Sequence, residues 1–230
     1  MDATNIPFQY DPEILKRFPR IAGGAMLVVG IHNGPSPEVL RQAYLEEQRL
    51  VLARTGSTPL SEIESLAGWR AAFRQFGVDP TQYRSAAEAL LRRLTKKGDI
   101  PSINAVVDIC NLVSIRYGLP AAAFDLRSIT GVITVRFATG AERFTNLGER
   151  AADLPAPGEV IFIDEAGLVA ARRWCWRQSE ESAAVDGTQR VLFTIEAQHA
   201  GGKIAVSQAL EDLKGLLVEY AGGEYKSILL

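Results

Sequence analysis

The hydrophobic pattern of the chain changes period about halfway along. The small, apolar stretch Ile21 to Ile31, IAGGAMLVVGI, ends in His32-Asn33-Gly34-Pro35 and predicts a buried strand that leaves into a loop. From Pro37 to about Arg54, Val39, Leu40, Ala43, Leu45, Leu50 and Leu52 alternate with Glu46, Glu47, Gln48 and Arg49, which predicts an amphipathic helix ending near Gly56. Ser61 followed by Glu64 has capping-box spacing. The apolar stripe Trp69, Phe73 and Phe76 then predicts a second helix that stops at Gly77. A third runs from about Ser85 to Lys97, with Ala86, Ala89, Leu90 and Leu94 inside. Arg92, Arg93, Lys96 and Lys97 stand toward its carboxyl end, where cations suit the helix dipole.

Ser102 to Tyr117 is apolar almost all round, yet Asn104, Asp108 and Asn111 fall at i, i+4 and i+7, on one face of a helix. A buried carboxylate is costly unless bonded, so Asp108 needs definite partners. Two readings stand: a structural polar network tying the helix to a loop, or a stripe facing a pocket. After Gly118 the period shortens to that of strands: Val132 to Phe137, Arg143 to Leu147, Glu159 to Ile163, Leu168 to Trp176 and Val191 to Glu196. Ala205, Ala209, Leu213, Leu216 and Leu217 then predict a closing amphipathic helix from Ile204 to Tyr220. Helices first and strands later indicate an α+β chain. A boundary is expected near Gly77 to Gln82, dividing an N-terminal part, residues 1–84, from residues 85–230, the two packed as one unit.

Composition narrows the function. A 230-residue chain with 47% hydrophobic residues can bury a proper core, and a formal charge of -2 leaves no broad basic surface, so any contact with nucleic acid must be local. DNA is not expected as a partner. No leader peptide is read in the first residues and no membrane-spanning run anywhere, which predicts a cytoplasmic protein. Cys110 and Cys175 are too few for a zinc site and read as buried reduced thiols; no metal or cofactor is expected. Phosphate-loop, dinucleotide, His-Glu-x-x-His and Gly-x-Ser-x-Gly motifs are absent, and His32 and His199 both read as loop residues.

The densest chemistry is Arg172-Arg173-Trp174-Cys175-Trp176-Arg177. On a strand, Trp174 and Trp176 share one face and Arg173, Cys175 and Arg177 the other. Indoles beside guanidiniums supply stacking surfaces and anion forks, as a single-stranded nucleic-acid site requires. The competing reading has the tryptophans filling core and the arginines paired with Glu180, Glu181 or Asp125. The run Arg92 to Lys97 offers a second set of cations, read either as a solvated helix end or as a dock for RNA backbone.

The segment LLRRLTKKGDIPSINAVVDICNLVSIRYGLPAAAFDL resembles the B3/B4 domain of the bacterial phenylalanyl-tRNA synthetase β subunit, through Ser102 to Asp108, Asn111, Gly118, Pro120 and Ala123 to Asp125. The likeness continues through Ile133, Val135 and Arg136, through Val160 to Asp164, and through Thr188 to Leu192, covering about Leu90 to Ala197. It implies a mixed β-sheet core flanked by helices. It also implies a pocket that hydrolyses tyrosine wrongly attached to the phenylalanine tRNA, with a water positioned on the ester. Three places depart from the family: Ala122 replaces a histidine, Thr194 with Glu196 stands where a pocket glutamate is found, and Arg172 to Arg177 replace a glycine-rich loop.

The expected function is therefore trans-acting editing, hydrolysis of a mischarged aminoacyl-tRNA, with a non-catalytic module binding tRNA, RNA or an amino acid as the alternative. No ligase core is seen, so adenylation is not expected. Asp108, Asn111 and Arg173 are the candidates for catalysis. Asn104, Asp125, Arg136, Trp174, Trp176, Arg177, Thr194 and Glu196 are the candidates for substrate binding.

Overall fold

Alternation along the strand Arg190–Ala197 organises the molecule, because its two faces belong to different cores. Val191, Phe193, Ile195 and Ala197 enter one apolar cluster and Leu192 enters another. The structure, a computed structural model, describes residues 6–149 and 151–230. Residues 1–5, where the segment read for a leader begins, and residue 150 lie outside the described residues.

In chain order the elements are β1 (Phe8–Tyr10), α1 (Pro12–Arg17), β2 (Ala22–Val29), α2 (Glu38–Thr55), α3 (Glu64–Gln75), α4 (Ala86–Lys97) and α5 (Ala105–Tyr117). There follow β3 (Ala121–Asp125), β4 (Ile133–Phe137), β5 (Phe144–Thr145), β6 (Ala152–Asp153), β7 (Val160–Ile163) and β8 (Val169–Arg172). The chain closes with β9 (Arg177–Gln178), β10 (Arg190–Ala197), α6 (Gly202–Tyr220) and β11 (Glu224–Leu229). One sheet has the order β11-β2-β10-β3 and is antiparallel throughout; the other, β1-β4-β7-β8-β9, is mixed, with β1 and β4 parallel. The α+β class read from the sequence is the class of the fold.

Helices α5 and α6 cover one face of the four-stranded sheet through Val106, Ile109, Val113, Val206, Leu210 and Leu213. The opposite face, with Ala25, Leu27, Phe124 and Leu192, packs on Ile133, Val135, Val160 and Phe162 of the five-stranded sheet. Beside this sandwich α2, α4 and α5 share a helical core that includes Tyr44, Leu91, Leu94 and Leu112. Residues before 84 are woven into both sheets, since β2 lies between β11 and β10 and β1 pairs with β4.

Several sequence expectations change at element ends. Ser61 sits in a single 3-10 turn, Leu60–Glu62, and α3 starts after Ile63 without a side-chain cap, so no capping box forms. Ser85 does cap α4, accepting a bond from the Glu88 amide at 3.3 Å, and Gly98 ends that helix in the left-handed conformation. The strand expected from Arg143 to Leu147 shrinks to Phe144–Thr145, and the one expected to run to Trp176 stops at Arg172. No helix among the described residues is long and apolar enough to cross a membrane.

Candidate functional site

A cavity of about 80 Å³ opens where β3 and β10 of one sheet face β8, β9 and the turn between them on the other. Ala122, Thr194 and Glu196 line one wall, because β3 and β10 pair Ala122 directly opposite Thr194 and the period of two brings Glu196 to the same face. Alanine at 122 removes the bulk that a larger side chain would place across from Thr194. Phe162, Ala171 and Trp174 line the other wall, and Trp176 and Arg177 stand at the rim.

Glu196 is the chemical centre of this cavity. It is 2% exposed and accepts bonds from the Tyr10 phenol at 2.7 Å and the Trp174 indole at 3.0 Å, both on Oε1. Burial pushes its carboxyl up to about 7, although those two donors pull the other way. The same carboxylate, together with burial, raises the Tyr10 phenol well above its ordinary value. Gly23 makes the arrangement fit: it pairs with Glu196 across β2 and β10, and a Cβ there would lie 2.2 Å from the Tyr10 hydroxyl.

The Arg-Trp cluster is a turn, not a strand, which corrects the expected sharing of faces. Arg173 and Trp174 both adopt positive φ, 45° and 57°, so the chain reverses after Arg172 and returns as β9. Trp174 consequently points inward: it is 0% exposed and packs edge-on to Phe18 and Trp69 at 4.8 and 5.2 Å between centroids. It holds Glu196 and cannot stack on a ligand's base. Trp176 is half-buried at the rim with the Arg173 and Arg177 guanidiniums each 4.5 Å from its ring centroid. Arg173 also lies 3.9 Å over Tyr83, and burial lowers the pKa of its guanidinium. None of the three partners expected for these arginines, Glu180, Glu181 and Asp125, is used by Arg172, which grips Glu159 at 2.9 and 3.0 Å and also pairs with Asp153.

The polar line on α5 faces elsewhere. Asn104 caps the helix, accepting from the Val107 amide and donating to the Ala184 carbonyl. Asp108 is 0% exposed and accepts bonds from Ser36, Ser102 and the Ile103 amide; Asn111 is half-buried on the same helix. Because α5 packs on the sheet face that carries Phe193 and Ile195, it is separated by the sheet from the face that carries Thr194 and Glu196. None of the three lines the cavity, a correction to their grouping with Arg173. Asp125 and Arg136 are likewise elsewhere. Asp125 binds Arg127 and Thr188 at the end of β3, and Arg136 bonds Glu142 at 2.7 Å. Burial would raise the Glu142 carboxyl, but the Thr139 amide and Arg136 overcome it and hold it at about 2.

Tyr10, Gly23 and Tyr83 were missed by sequence reasoning. Tyr10 and Gly23 reach the site only through strand pairing, and no local pattern marks them; Tyr83 precedes a helix cap and gave no periodic signal. Among the described residues no group of three or more His, Cys, Asp and Glu is placed to hold a metal. Cys110 is buried, its thiol pushed up to about 12 by burial, and Cys175 is half-buried beside the cavity.

Comparison with known proteins places these features in context. The model of the B3/4 domain family matches residues 68–221. A phenylalanine–tRNA ligase beta subunit from Shewanella oneidensis is 33% identical over 110 residues, 48% of this chain and 14% of that protein. The corresponding subunit from Vibrio vulnificus is 32% identical over 154 residues, 56% of this chain and 19% of that protein. The chain thus spans only a small part of the curated relatives it matches. Among solved structures, an N-terminal fragment of the phenylalanyl-tRNA synthetase beta-subunit from Pyrococcus horikoshii superposes with a TM-score of 0.53 at 14% identity, covering 98% of this chain and 54% of that one. At that identity the likeness shows the fold.

Proposed function

The chain belongs to the B3/4 domain family, and from that premise we propose that its cavity receives the aminoacylated end of a tRNA, in trans, and hydrolyses the ester. The observation that carries this reading is Glu196: a buried carboxyl at about 7, on the wall of a cavity, positioned by Tyr10 and Trp174. A carboxylate in that range takes a proton from water near neutral pH. Water attacks the ester carbonyl carbon, the bond from that carbon to the ribose oxygen breaks, and the proton held on Glu196 passes to the departing ribose hydroxyl. The free amino acid and the uncharged tRNA leave. Arg173 and Arg177 meet the terminal phosphates and Trp176 offers its ring to the terminal base, with Arg177, exposed, moving aside for it. Thr194 and Ala122 set the width available to the aminoacyl side chain.

A binding module without turnover is the second reading. It is favoured by the absence of an imidazole from the cavity lining, where Ala122 faces Thr194. Deacylation assays across correctly and incorrectly charged tRNAs separate the two. Loss of one mischarged species, abolished by Glu196→Gln, supports hydrolysis; saturable binding with every species intact supports the module.

A further inference from the structure

On the far flank of the loop leading into α4 lies a second, larger cleft, of about 440 Å³. Its charged walls are Arg70 from α3 and Arg84, Glu88, Arg92 and Lys96 from the start of α4 and along it. Glu88 is already engaged, 2.6 Å from Arg70 and 3.8 Å from Arg84. The Nε–H of Arg84 is buried without a hydrogen-bond acceptor among the described residues. Arg92 and Lys96, exposed and four residues apart, share one face of α4 and have no ion pair among the described residues. Ser57, Thr58 and Ser61 line the same cleft, as does Thr95, whose hydroxyl donates to the Arg92 carbonyl at 3.3 Å. In a chain of net charge -2, the fold has gathered four cations around a hollow that holds a single carboxylate, Glu88, with hydroxyl-bearing residues beside them.

The hollow is joined to the first cavity by four consecutive residues. Tyr83 lies under Arg173 and 5.1 Å from the Trp176 ring at the rim, Arg84 lines the cleft, Ser85 caps α4, and Ala86 lines the cavity while donating its amide to the Cys175 carbonyl at 2.8 Å. Tyr83, which packs under Arg173 at the rim, is thus the chain neighbour of Arg84 in the cleft.

We propose that this cleft binds successive phosphodiester groups of the RNA strand whose end enters the cavity, so that α4 anchors the strand and the cavity acts on its terminus. The strand's destination rests on the reading under Proposed function; the phosphate site stands on the cleft. Guanidinium forks and hydroxyl donors around a concave hollow match phosphate oxygens. A bilayer surface is flat and would not enter it.

The test is binding of unfractionated, deacylated tRNA to the full chain over a salt series, comparing wild type with R92E/K96E and with R93E/K97E. The second pair changes the same helix by the same charge but does not line the cleft. The proposal expects R92E/K96E to lose most of the affinity and to flatten the salt slope by about one per phosphate contact removed, with R93E/K97E much closer to wild type and the thermal midpoints of all three alike. Equal loss in both pairs, or unchanged affinity in R92E/K96E, overturns it. So does wild-type tRNA affinity in R92E/K96E accompanied by loss of binding to inorganic phosphate or to phosphatidylglycerol vesicles, since the ligand would then be a free phosphate or a membrane. Deacylation is read in parallel: its absence in wild type, with tRNA binding still dependent on the Arg92–Lys96 pair, sinks the hydrolase and leaves the cleft standing.

Discussion

Glu196 couples the proposed chemistry to folding through one proton. Its carboxyl sits at about 7 in the folded chain against an ordinary 4.5, so the folded state binds that proton more tightly than the unfolded one. The stability this contributes is fully present below about 4.5 and is lost as pH rises through about 7. The difference is on the order of 3 kcal/mol. Thermal unfolding should show wild type losing stability between those values relative to Glu196→Gln, whose amide does not titrate; parallel curves would contradict the buried-acid assignment. Trp174 and Trp176, two residues apart in sequence, should behave as different kinds of residue. Trp174→Ala removes a fully buried ring and should cost about 3–5 kcal/mol in denaturant unfolding. Trp176→Ala should leave stability within about 1 kcal/mol of wild type while weakening ligand binding. Gly23→Ala should drive the Tyr10 phenol off Glu196 and so remove a hydrogen bond that holds the carboxyl down, read as a higher pKa for it in a pH titration of unfolding; an unchanged or lower value would contradict that role of Tyr10.

At the scale of elements, α5 and the turn after β8 show what the sequence could and could not reveal. The need of Asp108 for definite partners is legible from its place in an apolar helix, but spacing alone does not say which neighbour a helix face meets. Ser36 and Ser102 supply the partners, and Ser36 lies 72 residues away in sequence. Asp108→Ala should therefore act as a stability variant, costing about 2–4 kcal/mol by stranding those donors, with the properties of the cavity unchanged in whatever protein still folds. The turn was unreadable for a different reason. Consecutive left-handed residues normally announce themselves by glycine or asparagine. Here they are Arg173 and Trp174, held in place by burial of the indole and by the Arg173 amide bonding Glu159 at 2.9 Å. A run of alternating Arg and Trp reads as a strand until that tertiary cost and compensation are seen. By contrast β10, an apolar run buried on both faces, and α4, with its serine cap and terminal glycine, are readable because local chemistry and tertiary packing agree.

Across the whole molecule, two sheets packed face to face give the cavity its dry wall and set Glu196 at its side, while the helical layer keeps α5 on the far face of the four-stranded sheet and presents α4 to solvent. Both sheets depend on residues far apart in the chain: β2 lies between β11 and β10, and β1 brings Tyr10 to Glu196 across 186 positions. The change of hydrophobic period carried the α+β class, and the family resemblance added the mixed sheet flanked by helices. Position in the fold then separated residues that sequence had grouped, leaving Arg173, Trp174, Trp176, Arg177, Thr194 and Glu196 around the cavity or its rim and the α5 line behind the sheet. The measurement that bears most directly on this arrangement is deacylation of a panel of charged tRNAs by wild type, Glu196→Gln and Asp108→Asn, followed from pH 5.5 to 8.5. The account predicts that wild type clears a mischarged species with a rate rising through about 7, that Glu196→Gln slows it about 100-fold or more, and that folded Asp108→Asn keeps the wild-type rate. Full activity in Glu196→Gln, or no deacylation of any species by wild type, would contradict it.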